Sequence, residues 1–205
     1  MLFLERMENQ DKKRELIIGA ALKRFAHFGL GKTTMNEIAS DLALSKPLLY
    51  YYFPDKISLF AAVMDSIIKE IDQEMENGLA KQTSSHKAIL FYLDKRQEFV
   101  RKYFNLLEFV VTTGPDLPQN LLEIFKQARS SEVSKIESII IKGNASGEFS
   151  VKDPAFTAEI LLDALAGMRL NHFAPSKNFY PDKSQFEQIL KKEKQLAAIF
   201  LNGLK

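Results

Sequence analysis

The chain has 205 residues, 46% of them hydrophobic and 26% charged, which is typical of a globular protein with one or two compact units. It contains no cysteine, so disulfide frameworks and thiolate metal sites are excluded. Its three histidines lack ligand spacing, so neither a histidine-based zinc site nor a cofactor is expected. The net charge is +2, and residues 1–60 carry the whole excess, a mild bias that is compatible with nucleic acid.

The first residues, "MLFLER", lack the cationic leader and long apolar stretch of a secretory signal, and Met7 is an alternative start. No apolar run approaches the length of about eighteen residues that spans a bilayer, so no membrane partner is expected. These features favour a cytoplasmic protein.

Apolar residues at helical spacing, with glycine and proline at the gaps between the runs, predict an all-α chain. The first helix is expected at residues 11–28, with Gly29 as its stop. Its buried stripe would consist of Ile17, Ala20, Ala21, Phe25 and Phe28.

Two short helices should follow. In "TTMNEIASDL", Thr34 and Glu37 have the spacing of a capping box, in which each side chain bonds a backbone N–H near the other residue. After a short break, Ser45 can cap a third helix, and Pro47 is tolerated in its first turn because that N–H has no helical partner.

The rest of the chain predicts long helices. The fourth is expected at residues 56–77, and others are expected near 87–112, 118–142, 154–172 and 185–202. The last three are preceded by the breaks "TGPDLP", "GNASGEFSVKDP" and "APSKNFYPDKS". Asp153 with Pro154 resembles an N-cap and first helical residue, and Ser184 with Glu187 repeats the capping-box pattern.

The stretch "SKPLLYYYFPDK", residues 45–56, crowds its aromatic residues together. At about 100° per residue, Leu49 and Phe53 lie one turn apart and face the core, while Tyr51 lies on the opposite side. Packing alone explains so much exposed aromatic surface poorly. A DNA duplex explains it well, because phosphates accept from phenol hydroxyls and the groove walls are flat.

Four segments in this order and spacing resemble the DNA-binding domain of the TetR family of bacterial transcriptional regulators: "ALKRFAHFG", "TTMNEIASDL", "SKPLLYYYF" and "PDKISLF". Farther on, "ASGEFSVKDP" is similar to a turn common in the regulatory domain of that family. The resemblance implies an N-terminal three-helix helix-turn-helix domain at residues 1–55. It also implies a larger helical domain for effector binding and dimerisation at residues 56–205, with about nine helices in all.

The resemblance also implies which residues contact double-stranded DNA. Phosphate contacts are expected at Thr33, Thr34 and Lys56, and the groove-facing tip at Lys46, Pro47 and Leu48. Tyr50, Tyr51 and Tyr52 would reach the backbone or base edges, although Tyr50 is also compatible with packing.

Two positions depart from the family pattern. Ala43 stands in a turn where the family often has glycine, so the turn must avoid positive φ or accept strain. Leu48 replaces a common threonine and cannot hydrogen-bond, which favours apolar contact with a thymine methyl. Lys46 is then the only strong donor for guanine, so we expect DNA shape to contribute to recognition.

Beyond the fourth helix, aromatic residues predict a pocket for a small hydrophobic or aromatic effector, although such stripes are more often core. The pocket residues would be Phe99, Tyr103, Phe104, Leu107, Phe125, Met168 and His172. Glu108, Asp163 and Arg169 are further orienting groups.

The last two helices mix bulky residues with alanine and glycine, which allows close helix approach. The resemblance implies that they form a homodimer interface rather than only completing a monomer core. That interface would include Leu161, Ala164, Leu165, Met168, Leu196, Ile199 and Phe200.

The implied function is that of a DNA-binding repressor that binds a palindromic operator as a homodimer and is released by the effector. A non-inducible DNA-binding protein is one alternative, and a helical small-molecule carrier or enzyme with a structural front module is another. "GKTT" at residues 31–34 does not indicate a nucleotide site, because Ala26 replaces the first P-loop glycine and a helix precedes it instead of a strand. No catalytic grouping is apparent, so the protein is not expected to be an enzyme.

Overall fold

The protein is described from a computed structural model, which covers residues 2–173 and 181–205. Within these ranges the chain is helical and contains no strand, which confirms the predicted all-α fold. The helices are α1 Leu2–Lys32, α2 Met35–Asp41, α3 Lys46–Tyr52, α4 Lys56–Leu79, α5 Ser85–Lys102, α6 Phe104–Thr113, α7 Gln119–Ser146, α8 Pro154–Phe173 and α9 Lys183–Asn202. A 3₁₀ turn covers Gly114–Asp116. In the predicted break at 174–184, residues 174–180 lie outside the described ranges.

The chain divides into two compact units. The first comprises Met1–Glu70 and Tyr103–Phe125, and the second comprises Ile71–Lys102 and Lys126–Lys205. The functional division predicted at residues 1–55 and 56–205 stays a prediction.

Helix α1 begins at Leu2, well before the predicted start, and Gly29 interrupts it as predicted. Gly29 has φ 76° and ψ 166°, a left-handed conformation that glycine adopts without steric cost. Before this break, Ile17, Ala21 and Phe25 are completely buried. The prediction that Phe28 belongs to the same buried stripe is wrong: it is 49% exposed, because its ring lies at the end of the helix and packs edge-on against His27 at 4.4 Å.

The single helix predicted at residues 87–112 is two helices. Tyr103, with φ −115° and ψ 23°, separates α5 from α6 and is buried. In the first unit, α6 packs on α1, where Asn105 Nδ2 donates to the carbonyl oxygen of Ala26 at 2.8 Å. No glycine or proline marks the break, so helical periodicity alone did not reveal it.

The second unit is held together by an apolar core on α5, α7, α8 and α9. The completely or almost completely buried residues include Tyr92, Leu93, Ile136, Leu162 and Leu165. The predicted turn at "GEF" also serves this unit: the Glu148 carboxylate accepts from the backbone N–H groups of Ser85 at 3.0 Å and His86 at 3.3 Å. It therefore caps the start of α5, and the Ser85 bond is the largest cause of the lowered pKa of Glu148.

Two N-terminal caps were predicted, one for α8 and one for α9. Asp153 does cap α8, which begins at Pro154, because its carboxylate accepts from the N–H of Phe156 at 3.0 Å. The capping box predicted for Ser184 and Glu187 is wrong. Asp182 and Gln185 form it instead, since α9 begins at Lys183, before the residue that the pattern selected.

Candidate nucleic-acid interface

Helix α3 is the short element that carries the clustered tyrosines. Ser45 caps it in an extended conformation, and its hydroxyl accepts from the N–H of Leu48 at 3.4 Å. Pro47 lies in the first turn, where its missing N–H costs no helical hydrogen bond. The predicted start of this helix is therefore confirmed.

The two sides of α3 differ in exposure. Leu49 is completely buried, and Phe53, which follows the helix, is 4% exposed, so the predicted core side is confirmed. Tyr51 is 70% exposed and Tyr50 46% exposed, while Tyr52 is half-buried with its ring edge-on to Tyr51 at 5.3 Å. We call these three residues, Tyr50, Tyr51 and Tyr52, the tyrosine surface.

The tip of α3 lies beside this surface. Lys46 and Pro47 are exposed, and Leu48 is half-buried. A cation, an apolar side chain and three phenols are therefore presented by one helix of seven residues. These groups can bind phosphates, thymine methyls and base edges.

Helix α1 contributes two residues near α3 that the sequence did not single out. Gln10 Nε2 donates to the hydroxyl of Tyr51 at 3.4 Å, and the Arg14 guanidinium lies 5.2 Å from the centre of the Phe53 ring. Arg14 therefore adds positive charge beside the helix that carries the tyrosine surface. Their sequence neighbourhood is polar and helical, so nothing in it distinguishes them from solvent-facing residues.

The turn between α2 and α3 accepts strain. Ala43 has φ 51°, and it is the non-glycine residue of the described chain with positive φ. Its N–H donates to the carbonyl oxygen of Ser40 at 3.1 Å, and that of Leu44 donates to the carbonyl oxygen of Ala39 at 2.9 Å. The hydrogen bonds hold a left-handed conformation that favours glycine, so the turn is stabilised in spite of the alanine.

The capping box of α2 is confirmed. The Thr34 hydroxyl accepts from the N–H of Glu37 at 3.3 Å, and the Glu37 carboxylate accepts from the Thr34 N–H at 2.8 Å. The same carboxylate accepts from the Thr34 hydroxyl, and this bond is the largest cause of the lowered pKa of Glu37. The phosphate contact of Thr34 stays a prediction.

An ion pair joins α2 to α1. Arg24 donates from Nε and Nη2 to the two carboxylate oxygens of Asp41, at 2.5 and 2.8 Å, and its Nη1 lies 3.3 Å from Glu37. The hydrogen bond from Arg24 lowers the pKa of Asp41 and, in return, raises that of Arg24. The bidentate pair fixes the orientation of α2, on which the following turn and α3 depend.

Thr33, predicted to contact a phosphate, has a different role. Its side chain is 1% exposed, and its hydroxyl donates to the carbonyl oxygen of Gly29 at 2.9 Å. A buried hydroxyl bonded within the protein cannot reach a phosphate, so this prediction is corrected. The resemblance selected Thr33 by its place beside Thr34, without information on burial.

Lys56 makes two hydrogen bonds within the protein. Its Nζ donates to the carbonyl oxygens of Leu30 at 2.8 Å and Thr33 at 3.0 Å. Both carbonyls lie in the segment that follows the break at Gly29, where helical partners are missing. The side chain therefore ties the start of α4 to the end of α1, and its phosphate contact stays a prediction.

The predicted effector-pocket residues fall into both compact units. Tyr103, Phe104, Leu107 and Phe125 belong to the first, and Phe99, Met168 and His172 belong to the second. Tyr103 is buried, and His172 Nε2 is 2.9 Å from the carbonyl oxygen of Gln185. A joint pocket of these residues stays a prediction.

The predicted dimer interface is partly corrected. Leu161 and Leu165 lie in the core of the second unit, at 1% and 0% exposure, because their side of α8 packs against the same chain. Ala164, Met168, Leu196 and Phe200 are half-buried, whereas Ile199 is 63% exposed. The sequence missed the exposed apolar residues of α8, which are Phe156, Ile160 and Leu170.

Residues 2–173 and 181–205 lack two features that are typical of other classes of function. No helix in these ranges is long and apolar enough to cross a membrane. They also hold no cluster of three or more histidine, aspartate or glutamate residues suited to a metal ion.

The sequence and fold match known regulators. The family model described as "Bacterial regulatory proteins, tetR family" matches residues 17–63, which include α2, α3 and the tyrosine surface. The chain is 34% identical to a transcriptional regulator from Cytophaga hutchinsonii ATCC 33406 whose crystal structure is known. That likeness covers 94% of this chain and 98% of the other, with a TM-score of 0.84.

Curated relatives agree. The uncharacterized HTH-type transcriptional regulator YhgD of Bacillus subtilis (strain 168) is 29% identical over 156 residues, which cover 73% of this chain and 78% of YhgD. The HTH-type transcriptional repressor BepR of Brucella suis biovar 1 (strain 1330) is 25% identical over 171 residues, 78% of this chain and 79% of BepR. With its helix-turn-helix and exposed tyrosine surface, the chain belongs to the TetR family of DNA-binding transcriptional regulators.

Proposed function

We propose that this regulator is a repressor that binds a palindromic operator as a homodimer and is released by a small hydrophobic effector. The observation that supports it most directly is the exposure of Tyr51, 70%, on a helix whose opposite side is anchored in the core by Leu49. A buried tyrosine cluster would have served packing. An exposed one on the third helix of this family's fold supports a contact with a duplex.

On the operator, the groups that α3 presents have distinct roles. The hydroxyls of Tyr50 and Tyr51 donate to phosphates, which positions α3 in the major groove. Lys46 donates to guanine or phosphate oxygens, and Leu48 contacts a thymine methyl. Since only one of these groups is a strong base-specific donor, the sequence-dependent shape of the DNA supplies part of the specificity.

A homodimer supplies the second half-site. One such helix buries too little surface for tight specific binding, and two related by a two-fold axis read half-sites about 34–36 Å apart or a multiple of that distance. The second unit offers apolar residues for self-association: Phe156, Ile160, Leu170 and Ile199, each at least 45% exposed. We propose this face of α8 and α9 as the interface, within a domain that spans residues 56–205.

Effector release follows from population shift. An effector that prefers the conformation with mismatched half-site spacing by a few kcal/mol would move most of the protein out of the DNA-binding state. Repression is the proposed sign because a bound dimer blocks transcription from an overlapping promoter, and the relative BepR is a repressor.

Selection of genomic fragments by the purified chain tests DNA binding and its palindromic form together. We expect bound fragments to share an inverted repeat, and a footprint to protect both halves. An unbiased fragment pool at low salt would contradict the proposal and favour a carrier or enzyme. Operator binding that no lipophilic compound weakens would instead favour a non-inducible DNA-binding protein.

The interface is tested by Ile199→Lys, with Ile141→Lys as the matched control. Both isoleucines are exposed, at 63% and 50%, but Ile141 lies on α7 and is not part of the proposed face of α8 and α9. We expect native mass spectrometry at micromolar protein to show dimer for the control and monomer for Ile199→Lys. A monomeric unmodified chain would contradict the homodimer.

A further inference from the structure

Two ion pairs of the second unit are relevant here: Arg96 with Glu132, which is half-buried, and Arg169 with Glu193, which is buried. In the first, Glu132 Oε1 accepts from the Tyr92 hydroxyl at 2.7 Å and from Arg96 Nε at 3.1 Å. The Tyr92 side chain is 1% exposed, and burial, followed by the charge of Glu132, raises its pKa well above the ordinary value. The phenol is therefore neutral and can act as a donor to the carboxylate.

The second pair lies between α8 and α9. Arg169 donates from Nε and Nη2 to the two carboxylate oxygens of Glu193. Arg169 is 8% exposed and Glu193 is completely buried. The bidentate geometry uses one edge of the guanidinium and neutralises the buried carboxylate.

Each arginine retains one terminal nitrogen without a partner. Arg96 Nη1 and Arg169 Nη1 are both buried, and neither has a hydrogen-bond partner in the described part of the chain. Buried polar groups in folded proteins are nearly always hydrogen-bonded, because an unpaired donor removed from water costs free energy. Two such donors on two cations are therefore available to bind a further acceptor.

The two ion pairs interact with each other. Burial lowers the pKa of Arg169, and the positive charge of Arg96 lowers it further. Burial opposes the charge of Arg96 as well, but Glu132 and then other groups that include Glu193 raise its pKa. Arg96 on α5 and Arg169 on α8 both lie in the second unit, where α5 and α8 each pack against α9. An anion that binds both cations would offset the repulsion between them.

We infer that Arg96 Nη1 and Arg169 Nη1 bind the carboxylate of the effector, so that the effector is a small apolar acid. This inference rests on the proposed effector-released repressor. Guanidinium groups donate and never accept, and a carboxylate offers two acceptor oxygens with matching geometry. The apolar body of the acid suits the surrounding core, to which Tyr92, Leu93 and Leu165 belong.

A third unpartnered buried atom, Gln97 Oε1, does not belong to this carboxylate site. It is an acceptor and needs a donor, so a carboxylate does not satisfy it. Gln97 Nε2 donates to the carbonyl oxygen of Phe186 at 2.7 Å, and both residues line a cavity of about 380 Å³. Gln97 therefore faces a different cavity and is not part of the proposed carboxylate site.

Calorimetric titration of the full chain tests the inference with two acids and their matched alcohols: decanoate against decanol, and phenylacetate against 2-phenylethanol. We expect at least one acid to bind at least about tenfold more tightly than its alcohol, because only the acid offers a charged acceptor. The same acid should weaken binding of the chain to its selected operator in a fluorescence anisotropy assay.

Three variants locate the acid. The double variant Arg169→Gln with Glu193→Gln keeps a hydrogen-bonded neutral pair. Its affinity for the acid should fall by about tenfold or more. Arg96→Lys keeps the charge beside Glu132 but removes the Nη1 donor, so its affinity for the acid should also fall. Arg129→Gln is the control, since Arg129 pairs with Asp163 at 2.6 Å where that carboxylate is exposed, and it should bind as the unmodified chain does.

The outcomes separate this inference from the proposed function. Alcohols that bind as tightly as the acids, or variants that bind acids normally, would overturn the inference and leave effector release standing. Binding by none of the four compounds would also overturn it. Operator binding in the same samples reports independently on the regulator: its absence would count against the proposed function itself.

Discussion

Leu49 is completely buried, whereas Tyr51, two residues later in α3, is 70% exposed. Two residues advance a helix by about 200°, so the pair lies on opposite sides of the same short helix. Leu49 anchors α3 to the first unit, and the anchored helix presents Tyr51 outward. Stability and DNA contact therefore depend on different residues of one helix, and substitutions can separate them.

Leu49→Ala should destabilise the protein by about 2–5 kcal/mol, because it removes a completely buried side chain and leaves a cavity. Chemical denaturation monitored by circular dichroism measures this change. The control is Leu16→Ala, since Leu16 is 63% exposed and its loss should stay within about 0.5 kcal/mol. Equal effects of the two substitutions would contradict the anchoring role of Leu49.

Ala43→Gly should stabilise the protein by up to about 1 kcal/mol. Ala43 adopts φ 51°, and glycine removes the steric cost of that left-handed conformation, although it also gains freedom in the unfolded chain. Ala20→Gly, in the helical interior of α1, is the matched control and should destabilise by about 1 kcal/mol. Chemical denaturation should show changes of opposite sign in the free energy of unfolding of the two variants. A lower free energy of unfolding for both would show that Ala43 is not strained.

Lys56→Met should destabilise the protein by about 1.5–3 kcal/mol, the usual range for hydrogen bonds of a charged group. The substitution leaves the carbonyl oxygens of Leu30 and Thr33 without their partner. Lys69→Met is the control, because Lys69 forms an exposed pair with Asp65 and its loss should stay within about 0.5 kcal/mol. Equal melting temperatures for both variants would contradict the tethering role of Lys56.

The salt dependence of DNA binding distinguishes a lysine that contacts a phosphate, as proposed for Lys46, from one that stabilises the fold, as Lys56 does. Each phosphate contact adds about one to the slope of log K against log salt, so Lys46→Ala should lower that slope by about one. Lys56→Met should leave it unchanged, since its ammonium group is bonded to backbone carbonyls. Anisotropy titrations at several salt concentrations measure both slopes, and a lower slope for Lys56→Met would support the phosphate contact predicted from the family.

Asp41→Asn should lower stability in a pH-dependent way. The hydrogen bond from Arg24 lowers the pKa of Asp41 below its ordinary value of 3.8, so folding favours the ionised carboxylate. That contribution is complete above the pKa of the unfolded chain and is lost as the pH falls through the lower, folded value. The melting temperatures of the two proteins should therefore differ near neutral pH and converge as the pH falls below the folded pKa of Asp41. A constant difference would contradict this linkage.

Local rules predicted the parts of the structure that local chemistry determines. The capping box of Thr34 and Glu37, the cap at Ser45 and the break at Gly29 each need only residues a few positions apart, so the sequence contained them. The core side of α3 was predictable for the same reason, because Leu49 and Phe53 are one helical turn apart.

Tertiary contacts decided the rest. Lys56 resembles a phosphate contact by position, but its partners lie 26 and 23 residues away in the chain. Leu161 is as apolar as a dimer-interface residue, yet the packing of α8 turns it into the core. The buried Nη1 atoms of Arg96 and Arg169 belong to a group of side chains from four helices. Contacts between residues so far apart in the chain cannot be predicted from a local sequence pattern.

DNA binding by Tyr51→Ala, measured by fluorescence anisotropy on the selected operator at fixed salt, tests the central claim most directly. Phe28→Ala is the matched control, because Phe28 is an exposed aromatic residue of the same unit outside the tyrosine surface. We predict that Tyr51→Ala weakens binding by about tenfold or more, with an unchanged melting temperature, while Phe28→Ala binds normally. Unaltered operator affinity of the Tyr51→Ala protein would contradict the claim that the tyrosine surface binds DNA.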